Sequence, residues 1–329
     1  MNWQHVAGTE ALQLSAIHQA HQLIEPYIVH TPVLQSPQLD ELTGASLFFK
    51  CENLQRTGAF KFRGACHALL QLTKAQRAAG VYTVSSGNHG AALACAGQLL
   101  GIKVTVAVPA SAPASKKANI ARYHATTVEI EPGMPAREAI IAQWQKERPD
   151  ASFIPPYNHD HIIAGQGTAA LELIKTVADL DCLITPVGGG GLLSGSAMVA
   201  HSQSLPIYAA EPEQVDDAWA SLQSGSIEPS RGPNSICDGL LTNLGDRTFA
   251  IIKQHVNDIL RISEDEVVAA MRLLWQELKV IVEPSSATVL AAVLRYPDLF
   301  KGKRVGLIIS GGNVDLSRLP WPVDYQELT

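Results

Sequence analysis

The sequence is short of several features that mark large classes of protein. No apolar run approaches the roughly 18 residues that a membrane-spanning helix needs. Residues 1–21 contain no basic segment followed by an apolar one, so we expect no signal peptide. Charged residues make up only 17% of the 329. Acidic residues outnumber basic ones by 31 to 25, so we expect no binding to nucleic acid or to a membrane.

Closely spaced cysteines are also missing. The five cysteines are odd in number and widely scattered: Cys51, Cys66, Cys95, Cys182 and Cys237. Because there is no CxxC pair, neither a disulfide framework nor a thiolate zinc site is indicated. We therefore expect reduced, partly buried thiols in a cytoplasmic protein.

The sequence does contain an alternation of short apolar runs and helical patterns. Seven runs are predicted as strands covered on both faces: residues 46–52, 81–86, 102–108, 126–130, 182–187, 207–211 and 304–310. The clearest helix signal is the capping box of Ser263 and Glu266, before a helix at 264–279. This alternation predicts an α/β fold with mainly parallel sheets flanked by helices.

Loops whose residues can bind a ligand or take part in a reaction occur at four places: residues 57–64, 85–90, 188–191 and 310–313. A single open sheet binds its ligand at one switch point, at the carboxyl ends of its strands. Four loops spread over most of the chain instead fit one cleft between two lobes. We predict a small domain at 75–156, inserted into a large domain formed by 1–74 and 157–329.

Four consecutive glycines, Gly188, Gly189, Gly190 and Gly191, follow the predicted strand 182–187 and precede a helical pattern. Without side chains, their N–H groups can converge on an anion at the positive end of the helix. The loop is not a Walker A motif, because no Lys-Ser/Thr follows, and it also fails the G-x-G-x-x-G spacing. A tight strand-to-helix turn is the alternative, but such a turn needs only one or two glycines. We predict a phosphate site.

Lys61 lies between two phenylalanines, in a loop that leads into a predicted helix at 62–72. Apolar walls and the neighbouring Arg63 would both disfavour its charged form, as in lysines that form imines with carbonyl compounds. Taken alone, this pattern favours a lysine that extends to solvent from a helix start.

The segment Ser85-Ser86-Gly87-Asn88-His89-Gly90 offers hydroxyls, an amide and helix-start N–H groups, all suited to a carboxylate or to an ordinary helix cap. Ser310 ends the last apolar run with one hydroxyl. A phosphate cradle, a hidden lysine, a carboxylate loop and a hydroxyl at a strand end are together what pyridoxal phosphate and an amino acid require.

Six motifs carry a resemblance to a known family: TGAFKFRGA, SSGNHG, AGQGT, PVGGGGL, EPxxxDD and SGGNVDL. In this order and over nearly the whole chain, they resemble the serine/threonine dehydratase and serine racemase family, whose members are pyridoxal-phosphate enzymes of the tryptophan-synthase-β fold type. The resemblance implies two lobes with the cofactor in the cleft. It also implies a homodimer that acts on a small amino acid.

The resemblance implies roles for individual residues. Lys61 would hold the cofactor covalently, the glycines 188–191 its phosphate, Asn88 its ring hydroxyl, and Ser310 would face its pyridine nitrogen. The substrate carboxylate would lie against Ser85, Ser86, Asn88 and His89.

These roles favour elimination. A hydroxyl beside the pyridine nitrogen, in place of a carboxylate, leaves that nitrogen weakly protonated and makes the ring a poorer electron sink. This suits a substrate that loses its β-hydroxyl as Cα loses its proton, so we expect a dehydratase of L-serine, L-threonine or threo-3-hydroxyaspartate. Ser86, on the face opposite the lysine in serine racemases, keeps racemisation as the alternative, alone or together with dehydration.

A divalent cation is a further expectation. Glu211 and Asp217 flank a turn, and in racemase-like members the matching positions, with the carbonyl of Val215, hold Mg²⁺ or Ca²⁺. Oxygen ligands of this kind suit both ions. An acidic helix N-terminus would explain the same residues.

Two other functions compete with these. A β-replacement enzyme such as a cysteine synthase shares the fold, but its loops are richer in asparagine and threonine. A non-catalytic phosphate-ligand binder is the other possibility. The sequence does not indicate which β-hydroxy amino acid is preferred.

Overall fold

The computed structural model describes residues 12–112, 114–230 and 234–321. The ends of the predicted large domain, residues 1–11 and 322–329, therefore lie outside the described residues. The described strands are β1 Val33–Leu34, β2 Ser46–Cys51, β3 Val81–Val84, β4 Val104–Pro109, β5 Thr126–Ile130, β6 Ser152–Phe153, β7 Cys182–Pro186, β8 Ile207–Pro212, β9 Asp258–Ile262 and β10 Arg304–Ile309.

Helices occupy most of the sequence between these strands. They are α1 Leu14–Ile24, α2 Pro37–Thr43, α3 Lys61–Leu70, α4 Lys74–Ala79, α5 Asn88–Leu100, α6 Ala114–Ala121, α7 Met134–Glu147, α8 Asp160–Thr176, α9 Gly191–Ser202, α10 Asp217–Ser224, α11 Asp246–His255, α12 Glu264–Leu278, α13 Pro284–Arg295 and α14 Pro297–Phe300. Within the described part of the chain, none of these helices combines the length and apolarity that crossing a lipid bilayer requires.

The larger sheet has six strands in the order β1-β2-β10-β7-β8-β9. Every pair is parallel except β1 with β2. The last strand, β10, lies in the middle, where Val305 aligns with Leu47 of β2 and with Cys182 of β7. This parallel order places the carboxyl ends of β2, β7 and β10 at one edge of the sheet.

The smaller sheet has four parallel strands in the order β5-β4-β3-β6. It is built wholly from residues 81–153, between two segments of the larger lobe. The carboxyl end of β3 continues into the Ser85–His89 segment and then into α5.

Both sheets are covered on both faces, as the apolar runs predicted. Along β2, Leu47 and Phe49 pack into one cluster with α12 and α13, while Phe48 packs into another with α8 and α9. The smaller sheet likewise separates a cluster around α5 from one around Trp144 of α7. The two-lobed α/β architecture is confirmed, and the boundaries at 74/75 and 156/157 stay a prediction.

Local signals in the sequence locate several element ends. Ser263 and Glu266 form the expected capping box at the start of α12. The seven predicted strands are present, but β1, β6 and β9 were missed. Two of these contain only two residues, and β9 (DILRI) follows α11 without a glycine or proline to separate them. Lys61 was predicted to lie in a loop, and it is the first residue of α3.

Candidate active site

The four predicted loops meet at a cavity of about 190 Å³ between the two sheets. The predicted site residues that line it are Lys61, Ser85, Ser86, Asn88, His89, Gly188, Gly189, Gly190, Gly191 and Ser310. They reach it from the first turn of α3, the β3–α5 loop, the β7–α9 loop and the carboxyl end of β10. The fold therefore brings together residues that are far apart in the chain.

Lys61 is held at the floor of this cavity with little solvation. Its Nζ donates to the carbonyl oxygen of Pro156 at 3.0 Å and lies 5.1 Å from the centre of the Phe60 ring. Burial lowers the pKa of Lys61 to about 8, with the Glu283 carboxylate acting in the opposite direction. A substantial fraction of the amine is therefore uncharged in mildly alkaline solution.

Arg63 does not contribute to this pKa, contrary to the expectation from the sequence. Its guanidinium is fully buried and points away, toward Glu52 at 2.7 and 2.8 Å and Glu172 at 2.7 and 2.8 Å. Lys50 binds the same Glu172 at 2.6 Å. These buried charges fix α3 against α8 and β2, so they support the helix that starts at Lys61.

The glycine loop leaves no room for side chains. A Cβ at Gly189 would lie 2.3 Å from Cδ1 of Tyr157, and one at Gly188 would lie 2.8 Å from Cα of Leu240. Gly190 has a φ of +86°, which favours glycine. Thr248 donates from Oγ1 to the carbonyl oxygen of Gly189 at 2.9 Å and so orients that peptide. With α9 beginning at Gly191, the backbone forms a cradle suited to a phosphate.

The hydroxyls of the β3–α5 loop differ in their partners. Ser85 Oγ accepts hydrogen bonds from the N–H groups of Gly87 and Gly90, so it caps the first turn of α5. Ser86 Oγ makes no hydrogen bond with any residue that the structure describes and faces the cavity. It is therefore available to a ligand.

His89 lies beside the cavity with a neutral imidazole. Burial lowers the pKa of its imidazole to about 3, so the ring is neutral. Its Nε2 lies 3.1 Å from the carbonyl oxygen of Ile154 and donates to it, because a carbonyl only accepts. Nδ1 then carries a lone pair and has no partner among the described residues. A carboxylate at this loop would meet backbone N–H groups rather than the imidazole.

Ser310 places a neutral hydroxyl at the end of β10. Its Oγ lies 2.9 Å from Oγ of Ser286, which donates to the carbonyl oxygen of Gly311 at 2.6 Å. The serine is 3% exposed. Its local partners are hydroxyl and backbone groups, so this part of the cavity offers a ring nitrogen a neutral partner.

The fold also brings to the cavity residues outside the predicted site set, although the resemblance already matched Glu283 to a family glutamate near the cofactor ring. Glu283, at the start of α13, accepts from Nδ2 of Asn88 at 3.0 and 3.2 Å and from the N–H of Asn313 at 3.2 Å. Burial raises the pKa of Glu283 to about 7. Lys116 of the smaller lobe also lines the cavity and pairs with Asp238 of the larger lobe. Motif spacing gave no signal for Lys116 or Asp238, because these two residues come from different lobes.

Arg137 of α7 is a second cation that was missed. Burial lowers the pKa of its guanidinium, and Tyr157 acts against that shift. The guanidinium makes no hydrogen bond or ion pair within the part of the chain that the structure describes. A partly desolvated cation without an anionic partner is unfavourable, and an anionic ligand would stabilise it.

The predicted metal ligands lie apart from this cavity, at the end of β8. Glu211 accepts from the N–H groups of Ala218 and Trp219 at 2.9 and 2.8 Å, as an ordinary cap of α10 would. Burial raises the pKa of Asp217 to about 7, and its Oδ1 is buried without a partner among the described residues. No group of three His, Cys, Asp or Glu side chains suited to a metal occurs in the described ranges. The cation site, with the Val215 carbonyl, stays a prediction.

Comparison with known proteins shows which family this chain belongs to. The model of a family described as "Pyridoxal-phosphate dependent enzyme" matches residues 24–311. The chain belongs to this family. It is 47% identical over 304 residues to the beta-hydroxyaspartate dehydratase of Paracoccus denitrificans, covering 92% of this chain and 96% of that one.

Two solved structures of similar fold support this family membership. The serine racemase of Dictyostelium discoideum is similar with a TM-score of 0.88 and 47% identity, over 93% of this chain and 99% of that one. The T.th. threonine deaminase is similar with a TM-score of 0.87 and 39% identity, over 93% and 100%. The protein is thus a pyridoxal-phosphate enzyme of fold type II, and the glycine cradle and the weakly solvated Lys61 fit that cofactor.

Proposed function

We propose that this protein is a dehydratase, an ammonia-lyase that removes water from a small β-hydroxy amino acid. The enamine that is released then takes up water and breaks down to a 2-oxo acid and ammonia. The observation that carries the proposal is the meeting of Lys61, the glycine cradle, the carboxylate loop and the neutral Ser310 hydroxyl at one cavity. Pyridoxal phosphate, when bound, withdraws electrons from the Cα of an attached amino acid.

Each part of the cavity has a task in this proposal. The N–H groups of glycines 188–191 hold the phosphate, and Asn88 donates to the ring hydroxyl. Ser85, Ser86 and the helix-start N–H groups of Asn88 and His89 bind the substrate carboxylate. A pKa of about 8 lets the Lys61 amine accept the Cα proton near neutral pH. A neutral Ser310 hydroxyl beside the ring nitrogen would leave that nitrogen weakly protonated, which would suit a substrate that loses its β-hydroxyl.

Among β-hydroxy amino acids we place 3-hydroxyaspartate first. Its second carboxylate needs a cation in the cavity beyond the α-carboxylate loop, and Arg137 offers one that no described residue neutralises. Lys116 is already paired with Asp238. The beta-hydroxyaspartate dehydratase similarity supports the same choice.

Racemisation is the second candidate function. Ser86 Oγ lines the cavity without a partner among the described residues, so it can exchange a proton with Cα if it faces the side opposite Lys61. The similarity to a serine racemase supports this alternative. If Ser86→Ala abolishes D-product formation and keeps 2-oxo acid formation, the two activities use different bases; equal loss of both contradicts that division.

The deciding experiment offers purified holoenzyme L-serine, L-threonine and threo-3-hydroxyaspartate and measures 2-oxo acid and D-enantiomer together. We expect 2-oxo acid in excess, and none from Lys61→Ala. The dehydratase proposal would be rejected if the enzyme formed a D-enantiomer but formed no 2-oxo acid from any of the three substrates. A colourless protein that takes up no cofactor would reject catalysis altogether.

We also infer the surroundings in which the enzyme works. Five buried, unpaired thiols suit a reducing cytoplasm. Family resemblance supports a homodimer, which light scattering would test against twice the chain mass of 35.3 kDa.

Asp217 Oδ1 has no hydrogen-bond partner among the described residues, which supports a Mg²⁺ or Ca²⁺ ion held with Glu211 and the Val215 carbonyl. Either ion should then raise the melting temperature of the wild type and have no effect on Asp217→Asn. An equal effect on both proteins would reject the site.

A further inference from the structure

Asn313 lies where three segments of the active site meet. Its Nδ2 is 2.7 Å from the carbonyl oxygen of Thr57 and 2.9 Å from Oδ1 of Asn88, and its backbone N–H is 3.2 Å from Oε2 of Glu283. A Cβ at Gly58 would lie 2.6 Å from Oδ1 of Asn313. The amide is therefore packed closely against the turn that precedes α3.

The chemistry of these partners determines how two amides are oriented. The carbonyl of Thr57 can only accept, so the nitrogen of Asn313 must face it, and the second N–H then meets the oxygen of Asn88. Asn88 consequently turns its own nitrogen to Glu283, at 3.0 and 3.2 Å from the two carboxylate oxygens. One N–H of Asn88 remains for the cavity that it lines.

We propose that Asn313 is a positioning residue that makes Asn88 a hydrogen-bond donor toward the ring hydroxyl of pyridoxal phosphate. This rests on the role proposed above for Asn88. Without Asn313, only Glu283 holds the orientation of the Asn88 amide, so the amide turns over more readily and presents its oxygen, which repels a negatively charged ring oxygen. A fixed donor stabilises that charged form, which gives lysine-bound pyridoxal phosphate its yellow colour.

The test compares Asn313→Ala and the milder Asn313→Ser with the wild-type holoenzyme. We expect the yellow absorbance band to fall, the near-ultraviolet band to rise, and the Kd for pyridoxal phosphate to increase about tenfold, as for one lost hydrogen bond to a charged group. Asn53→Ala is the matched control. Asn53 donates to the carbonyl oxygen of Ile281 at 3.0 Å beside the same loop and has no contact with Asn88, so its spectrum should stay that of the wild type.

A double-mutant cycle separates positioning from general support of the loop. If Asn313 acts through Asn88, then Asn313→Ala changes the band ratio of the wild type and adds nothing to Asn88→Ala. An undiminished effect in the Asn88→Ala background, a wild-type spectrum for both Asn313 variants, or the same spectral change in Asn53→Ala would overturn the proposal. If Asn88→Ala itself keeps the wild-type spectrum, the role of Asn88 fails first.

Discussion

The Lys61 amine has a carbonyl oxygen and an aromatic ring as its near neighbours. Poor solvation makes the uncharged amine more accessible than in an exposed lysine. The nearby Glu283 carboxylate opposes this, because it stabilises the ammonium. The balance between burial and one carboxylate thus sets the reactivity of the residue on which catalysis depends.

Uptake of pyridoxal phosphate by the apoprotein should report this balance. Only the uncharged amine attacks an aldehyde, so the rate should rise about tenfold per pH unit below the pKa and level off above about 8. Stopped-flow absorbance at a series of pH values measures the midpoint. Glu283→Gln should move the midpoint to lower pH, because it removes the charge that raises the pKa of Lys61. A midpoint near the ordinary lysine value would contradict the burial argument.

Arg137 should decide between substrates of different charge. In Arg137→Gln we expect kcat/KM for threo-3-hydroxyaspartate to fall about 100-fold, as for a lost charge-assisted contact, with L-serine and L-threonine changed less than about threefold. Lys146→Gln, which removes an exposed charge from the same helix without lining the cavity, is the control. Equal losses for all three substrates would show that Arg137 does not select the second carboxylate.

Two glycines in turns between strands and helices have backbone conformations that favour glycine, but they differ in the space around them. Gly190 and Gly101 both have positive φ, +86° and +67°. A Cβ at Gly190 would lie 2.9 Å from Leu244, Thr248 and Ile252, whereas one at Gly101 would meet nothing within 4 Å. Substituting each glycine by alanine therefore distinguishes two effects. Both substitutions strain the backbone, but only the one at Gly190 disturbs the phosphate cradle.

Gly190→Ala should raise the Kd for pyridoxal phosphate at least about 100-fold, because the loop must move away from the phosphate position. Gly101→Ala should cost about 1–2 kcal/mol of stability and leave the cofactor affinity unchanged. Fluorescence titration and thermal unfolding measure the two quantities. Tight cofactor binding by Gly190→Ala would mean that the cradle tolerates a side chain.

The packing of α3 on α8 depends on buried charges. Arg63→Met would leave Glu52 and Glu172 with an incomplete set of partners, and we expect a loss of about 3–5 kcal/mol. Lys117→Met breaks a solvent-exposed pair with Glu129 and should cost less than about 1 kcal/mol. Chemical unfolding of both variants tests the contrast. Similar losses would indicate that the network contributes little beyond a surface ion pair.

At the scale of the whole molecule, the sequence predicted the features that are formed by residues adjacent in the chain. Apolar runs gave the strands, and the glycine loop and the flanks of Lys61 pointed to the cofactor. The sequence did not reveal Arg137 or Lys116, because these come from α7 and α6, and only the packing of two lobes brings them to one cavity with the predicted loops. The expected effect of Arg63 on the charge of Lys61 was wrong, because packing of α3 on α8 turns the Arg63 guanidinium toward Glu172, 109 positions away.

The place of β10 in the middle of the larger sheet has a consequence for biosynthesis. β2 and β7 border the gap that β10 fills, and the Phe60 N–H donates to the carbonyl oxygen of Ser310. A ribosome adds about 5–20 residues per second, so β2 waits roughly 12–50 s for its neighbour. During this time the nascent chain can close its four-stranded sheet, while the apolar strands β2 and β7 each keep one edge open to chaperones or to wrong partners. Maturation of the enzyme therefore becomes possible only after the last strand has emerged.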